Sequence, residues 1–548
     1  MPVTKFIFVS GGVISGLGKG ITTASIALLL QNRGYKMTPV KCENYLNMDA
    51  GLINPIEHGD PFLCEDGTEA DMDMGTYEKF LGKNMERHNF VTMGQIYQAV
   101  IERERNFGYE GEDVEAIPHV TDEIIKRIKA AGEKENADIV VVELGGTTGE
   151  YQNALYYEAS RILSRKKGNT VIHVHVSYLP TPTHLGEPKT KPTQLSVRTL
   201  NSMGIQPDFI VARAEKAMDK RRRDRFALFC NVDPENVIDS VDLPSAYESP
   251  VYLAKQGLDE KILTMMNLPL NTLDIRAWET MVGRIEKKKD VTKTIAIVGK
   301  YFATGEYQLR DSYAALMDAI DHAAWAKGLH MEVKWVNSER LEKNGIGELA
   351  GVDGIIVPIG WGTRGVEGKI AAIQHARVNK IPYLGLCYGM QLAVVEYARN
   401  VLGLTDAHSL ECDADTAHPV IHMISGQADI LKRRAYGGTM RLGRWECRVK
   451  PLSIADNAYS AHDGYSDGKN KIVGERHRHR YEFNDAYTKQ FEDAGLVISG
   501  RSVVEKLAEI IELPASVHPF FVGTQYHPEY RSRPLVPHPI FLEFMQSL

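Results

Sequence analysis

Apolar residues recur along this chain in short unbroken runs, separated by longer stretches of helical spacing. In the first half the runs are 5–9 (KFIFV), 138–143 (DIVVVE), 170–178 (TVIHVHVSY), 207–212 (PDFIVA) and 226–232 (FALFCNV). Runs of this length without alternation are expected of strands buried on both faces of a parallel sheet. Between them, Ile21–Arg33 carries helical spacing and is closed by Gly34, a C-terminal stop. Strand and helix in turn predict an α/β fold with a doubly wound parallel sheet. Around 283–293 the text becomes GRIEKKKDVTK, charged and without apolar periodicity. A second series starts at 294–299 (TIAIVG) and continues through 354–359, 382–386, 495–499, 508–513 and 520–525. The pattern predicts two α/β domains, 1–270 and 294–548, joined by a linker over 271–293.

Composition narrows the class. A chain of 548 residues exceeds one compact core. A net charge of −7 without long single-sign blocks gives no footprint for nucleic acid or a membrane surface. No run reaches the roughly 18–20 apolar residues of a membrane span. The six cysteines, at 42, 64, 230, 387, 412 and 447, lack the spacing of a zinc site or a disulfide framework. The opening MPVTKFIFVS runs straight into a strand, so a reducing, cytoplasmic setting is expected.

The candidate chemistry begins at Gly385-Leu-Cys387-Tyr-Gly389, between an apolar strand and the helical text MQLAVVEYARNV. Small residues on both sides of a cysteine at such a turn permit the strained elbow of a nucleophile. The helix N-terminus beyond it favours a thiolate. The alternative is a cysteine serving as a small buried hydrophobe. Gln525-Tyr-His527-Pro-Glu529 follows another apolar strand and supplies a base, His527, and an orienting carboxylate, Glu529. Pro358-Ile-Gly360-Trp-Gly362, at a third strand end, offers N–H groups for an oxyanion.

In the first half, residues 10–23 read SGGVISGLGKGITT between a strand and a helix. Converging backbone N–H groups, a helix N-terminus and Lys19 suit phosphate. Five residues rather than four separate Gly12 from Gly18-Lys19, and Gly20 stands where Ser or Thr is usual in a phosphate loop. Asp71-Met-Asp73 falls in loop-like text, and Glu143 closes a strand where such folds bind ligands. One or two carboxylates with nucleotide phosphates suffice for Mg²⁺. Lys189-Thr190-Lys191-Pro192-Thr193-Gln194 gathers cations and polar donors, as either a second polyanion site or a surface loop.

The oxyanion loop, G-x-C-x-G and H-P-E, in that order over most of 294–548, resemble the class I (triad) glutamine amidotransferases. That resemblance implies glutamine hydrolysis through a thioester at Cys387. Glutamine would be held by Gly360, Tyr388, Gly389, Met390 and Gln391, with Glu411 and, in RHRHRYE, Arg480. An arginine and a carboxylate suit the two charges of an amino acid. Taken with GGVISGLGKG, EHGDPFLCEDG, EADMDMG, IPHVTDEI, ELGGTTG, GEPKTKPTQLSVR, ALFCNV and MRLG, the whole chain resembles the CTP synthases. A P-loop-like amidoligase half followed by a glutaminase half is then expected.

The family resemblance implies ATP phosphates on Lys19 and Lys41, with Gly16, Leu17, Gly18, Lys19, Gly20 and Ile21 as the phosphate loop and Mg²⁺ on Asp73 and Glu143. UTP would take Ser15, Lys189–Gln194 and Arg225, and adenine Arg213 and Asp242. ATP would phosphorylate the uracil 4-oxygen, and ammonia passed between the domains would displace phosphate. His58 would lie near that ammonia route. GTP as activator, CTP as product and inhibitor, a homotetramer and filaments also follow from the family. Four positions depart from it: Glu150-Tyr151-Gln152 in the CTP region, Ile359 and Trp361 in the oxyanion loop, Arg225 for Lys, and Glu43-Asn44 for Asp-Pro. They predict altered CTP inhibition and a less mobile oxyanion loop, because a β-branched residue resists positive φ. The rival readings are another amidoligase–glutaminase pair acting on a carboxylate, and a filament or switch protein with a dead glutaminase.

Overall fold

The computed structural model describes residues 4–54, 59–182, 184, 186–300, 303–304, 307–308, 313–462, 465 and 471–548. His58 lies outside the described residues. The chain forms two compact units, Met1–Asp49 with Asp73–Gly283, and Ala50–Met72 with Arg284–Leu548.

The first unit is built on seven strands: β1 (Lys5–Gly12), β2 (Met37–Glu43), β3 (Phe90–Thr92), β4 (Ile139–Leu144), β5 (Val171–Tyr178), β6 (Phe209–Ala214) and β7 (Val237–Val241). They lie in the order β3-β2-β4-β1-β5-β6-β7, every pairing parallel. Every residue of β4 is buried, as its unbroken Val/Ile run requires. Helix α1 (Lys19–Asn32) follows β1 directly and ends before Gly34, whose φ of 91° is the left-handed stop.

Two expectations fail here. Residues 226–232 are not a strand: 226–230 close helix α4 (Lys220–Cys230), capped by Asp219, whose side chain accepts from the Arg222 N–H. Phe226, Ala227 and Cys230 are buried while Leu228 and Phe229 are exposed, a helical i, i+1, i+4 stripe inside an apolar run too short to show its period. Asp73 is not in a loop but in the first turn of α2 (Met72–Leu81), where a carboxylate suits the helix dipole. Within 271–293, helix α5 (Arg276–Glu286) buries Trp278, Met281 and Val282.

The main sheet of the second unit has nine strands among the described residues: β8 (Thr292–Gly299), β9 (His330–Asn337), β10 (Gly354–Val357), β11 (Tyr383–Leu386), β12 (Arg441–Val449), β13 (Ile472–His479), β14 (Val497–Ser502), β15 (Ala508–Glu512) and β16 (Phe521–Thr524). Their order is β9-β8-β10-β11-β16-β15-β14-β12-β13. Pairings from β9 to β16 are parallel and those from β16 to β13 antiparallel. Helices α6 (Val366–Asn379) and α7 (Tyr388–Asn400) flank β10 and β11. The charged text RHRHRYE is largely strand β13, where Arg476, His477 and the preceding Glu475 are fully buried.

Candidate active sites

In the second unit, Cys387 sits between β11 and α7 with φ 52° and ψ −96°, a strained conformation for a side chain that has a Cβ. Its backbone N–H donates to the Thr524 carbonyl at 2.7 Å, tying the elbow to β16. Gly389 must be glycine, since a Cβ there would overlap the Val357 carbonyl of β10. The chain leaving β16 carries His527, whose Nδ1 lies 2.8 Å from Glu529 Oε1. Both side chains are buried. His527 Nε2 has no hydrogen-bond partner, and the ring interacts electrostatically with Cys387. Burial opposes charge on this imidazole, but Glu529 and Cys387 override it and raise its pKa to about 10. The thiol itself is 3.5 Å from Gln525 Nε2.

Around this pair, Glu411 Oε1 accepts from the Gly362 N–H at 2.7 Å. Burial raises the Glu411 pKa against the pull of that N–H and of Lys300. Gln391 Nε2 donates to the Tyr481 carbonyl at 3.0 Å, while its buried Oε1 is unpartnered. Arg480 turns its guanidinium to Gln427, the Tyr436 carbonyl (2.8 Å) and Thr439 Oγ1 (2.9 Å). Glu411 and Arg480 both reach Tyr481 electrostatically, but no hydrogen bond joins them. A buried cysteine on an elbow, a paired imidazole and a charge-bearing rim are the groups that acyl transfer from a small zwitterion would use.

In the first unit, the loop after β1 turns at Gly16 (φ 70°) and Gly18 (φ 83°) and opens α1 at Lys19. Lys19 Nζ donates to the Gly146 carbonyl at 2.9 Å. Lys41 on β2 is paired in register with Glu143 on β4. Its buried amine meets Glu143 (2.8 Å), Glu43 (3.2 Å) and Asp73. Tyr77 donates to the other Glu143 oxygen. Gly20 is required by this convergence: a Cβ there would overlap the Asp73 carboxylate. Carboxylates gathered about one cation beside a phosphate-type loop are the donor set that a hard divalent ion takes. Among the described residues no three His, Cys, Asp or Glu side chains form a metal site alone.

An open cavity of about 830 Å³ is lined by Lys189, Thr190, Lys191, Gln194 and Arg225, with Arg198 and Arg222 adding charge. Thr193 does not line it; the residue is buried and donates to the Tyr178 carbonyl at 3.1 Å. Pro192 is at the start of helix α3 (Lys191–Ser202). Arg213 pairs with Asp242 at 2.8 Å. Glu150 folds back on the Thr147 N–H (2.8 Å) and Asn44 (3.0 Å), leaving Tyr151 98% exposed and Gln152 exposed beside it.

A family profile described as CTP synthase N-terminus matches residues 5–268, and one described as glutamine amidotransferase class-I matches 308–547. A protein named CTP synthase from Caldanaerobacter subterraneus subsp. tengcongensis is 45% identical over 548 residues, covering 100% of this chain and 98% of that one. The chain belongs to the CTP synthase family. A CTP synthase of Thermococcus kodakarensis is 46% identical over 549 residues, again covering 100% and 98%. A solved structure of the Trypanosoma brucei CTPS glutaminase domain with bound acivicin shares 38% identity at a TM-score of 0.41, covering 46% of this chain and 93% of that one.

Sequence reasoning missed several residues that frame these sites. The amines of Lys300 and Lys369 lie over the Tyr388 ring, 5.4 and 5.2 Å from its centroid. Arg478 lies over Trp361, 5.5 Å from its ring centroid, and bonds Glu69 at 2.6 Å. Lys369 had a visible mark, a cation on the same helical stripe as Val366, Ile370 and Ile373. Arg478 had none beyond a charged run.

Proposed function

We propose that this chain aminates UTP to CTP, using ATP and nitrogen released from glutamine at Cys387. The observation that carries this reading is the elbow cysteine beside the His527–Glu529 pair, in a chain related to CTP synthases over its full length. In this reading the thiol proton already rests on His527, whose imidazolium persists through neutral pH, and the Cys387 thiolate attacks the glutamine amide carbon. Protonation of the departing nitrogen by His527 frees ammonia and leaves a thioester, which water hydrolyses to glutamate. In the other half, the ATP γ-phosphoryl passes to the uracil 4-oxygen, giving ADP. Ammonia then displaces phosphate from that carbon and loses a proton.

Lys19, Lys41 and the glycine loop are the phosphate-binding groups in this reading, and the cavity lined by Lys189, Lys191 and Arg225 takes the UTP polyanion. Asp73 and Glu143 would hold Mg²⁺, which supplies neutralising charge to the phosphates when bound. Arg213 and Asp242 meet adenine, and Glu411 and Arg480 the glutamine ends. GTP as activator, CTP as inhibitor, a homotetramer with filaments and a cytoplasmic setting belong to the same reading. None of the six cysteines forms a disulfide, which supports a reducing compartment. Among the described residues no helix is long and apolar enough to cross a membrane.

The test compares glutamine and free ammonia as nitrogen donors. Cys387→Ala is expected to abolish glutamine-dependent CTP formation and leave ammonia-dependent formation within about twofold, as loss of a nucleophile alone requires. Absence of CTP from the unaltered chain with saturating UTP, ATP and ammonia would overturn the assignment.

A further inference from the structure

The loop Pro358–Gly362 after β10 is fastened at nearly every residue. The Pro358 carbonyl accepts from Lys369 Nζ at 3.2 Å. The Ile359 carbonyl accepts from the Tyr313 hydroxyl at 3.4 Å, and its side chain is buried in the core cluster that holds Tyr313 and Leu386. Lys300 donates to the carbonyls of Trp361 and, at 3.1 Å, Gly362. Gly362 also accepts from the Tyr388 hydroxyl at 2.7 Å. Gly360 has no such carbonyl anchor among the described residues. Its N–H, in a buried residue, has no acceptor among the described residues. A buried donor without a partner is costly, and at a strand end beside a nucleophile it is what an oxyanion needs.

Lys369 stands behind this exception. The residue is 0% exposed on α6, and the Pro358 carbonyl is its hydrogen-bond acceptor. A Cβ placed on Gly360 would lie 3.0 Å from its Nζ. An aliphatic side chain would fill the same volume on that apolar stripe without the penalty of burying an amine. Burial, and then Lys300, push the amine well below its ordinary range, while Cys387 pulls the other way.

We infer that Lys369, together with the buried Ile359, is a positioning residue of the glutaminase, fixing the 358–360 backbone so that the Gly360 N–H awaits the oxyanion before glutamine binds. This rests on Cys387 being the nucleophile of glutamine hydrolysis. A preformed donor acts only on charge that develops in the transition state, so its loss lowers kcat and spares substrate binding.

Lys369→Met keeps the stem and removes the amine. In the full chain, its glutaminase kcat is expected to fall about 10- to 100-fold, less than the roughly 10²- to 10³-fold that outright removal of an oxyanion donor costs. KM for glutamine and the rate of Cys387 alkylation by iodoacetamide are expected to stay within about twofold, because binding and thiol reactivity do not use that donor. A kcat within about twofold of the unaltered chain would overturn the inference, as would a loss shared equally by KM and alkylation. If Lys369→Met does not fold, Ile359→Gly frees the same backbone and is expected to show the same split; an unchanged kcat there overturns the inference too. If the unaltered chain hydrolyses no glutamine while making CTP from ammonia, the glutaminase reading itself fails, and this inference with it.

Discussion

At the scale of single residues, His527 is the most consequential titrating group. Its imidazolium is held up to about pH 10 by Glu529 and Cys387 against burial, from an ordinary value of 6.5. A raised pKa means that the charged form is retained through neutral pH and lost as pH rises through the folded value, and the stability tied to it is lost over the same interval. Glu529→Gln removes the carboxylate that favours the imidazolium. The alkaline limb of kcat/KM for glutamine is therefore expected to move to lower pH; a pH–rate profile with an unmoved limb would contradict the role given to Glu529.

At the scale of elements, the N-terminal turn of α1 explains a departure in the phosphate loop. Gly20 occupies the position where Ser or Thr is usual, and the Asp73 carboxylate of α2 fills the space a side chain would need. Gly20→Ser, which restores the more usual text, is expected to lower CTP formation at least about tenfold with either nitrogen donor, as displacement of a positioned group by about 1 Å can. Hydrolysis of glutamine at Cys387, measured as glutamate release, provides the internal control and is expected to persist. Strand β13 makes a related point about charge. Its text is among the most polar in the chain, yet it is buried because each ion has a partner. Glu475 meets His538 (3.1 Å) and Arg531 (3.2 Å), and Arg441 lies 2.8 Å from both His477 and Glu509. Buried ions persist only when so compensated.

At the scale of the whole molecule, nothing along the chain marks residues 50–72 as part of the unit that holds 284–548. They bury Phe62 and Leu63 there and also pair charges. Glu69 bonds the buried Arg478 at 2.6 Å, Asp60 lies 3.7 Å from the same guanidinium, and the Leu63 carbonyl accepts from Arg476 at 2.9 Å. Removing one partner of such a pair costs about 3–5 kcal/mol. Glu69→Ala is expected to lower the thermal midpoint of that unit. It is also expected to lower glutaminase activity, because Arg478 supports the Trp361 ring; unchanged melting and activity would show that the pair is dispensable.

Much of this protein was legible in one dimension because its chemistry is local. The P-loop-like text, the elbow around Cys387 and the His527–Glu529 dipeptide spacing are each short, and each lies at a strand end that apolar runs announce. The α/β class followed from the same runs. What failed was also local in origin: FALFC is too short to separate strand from helix, and Asp73 gave no periodic cue before α2. The sequence by itself determined the strand ends and the reactive side chains placed on them, since those depend on neighbours within a few residues. The tertiary structure alone decided which charges meet from distant parts of the chain, Arg478 with Glu69, 409 residues away, and Lys41 with Asp73 and Glu143, 32 and 102 residues away. Those outcomes depend on packing and desolvation among distant segments, and no spacing along the chain encodes them.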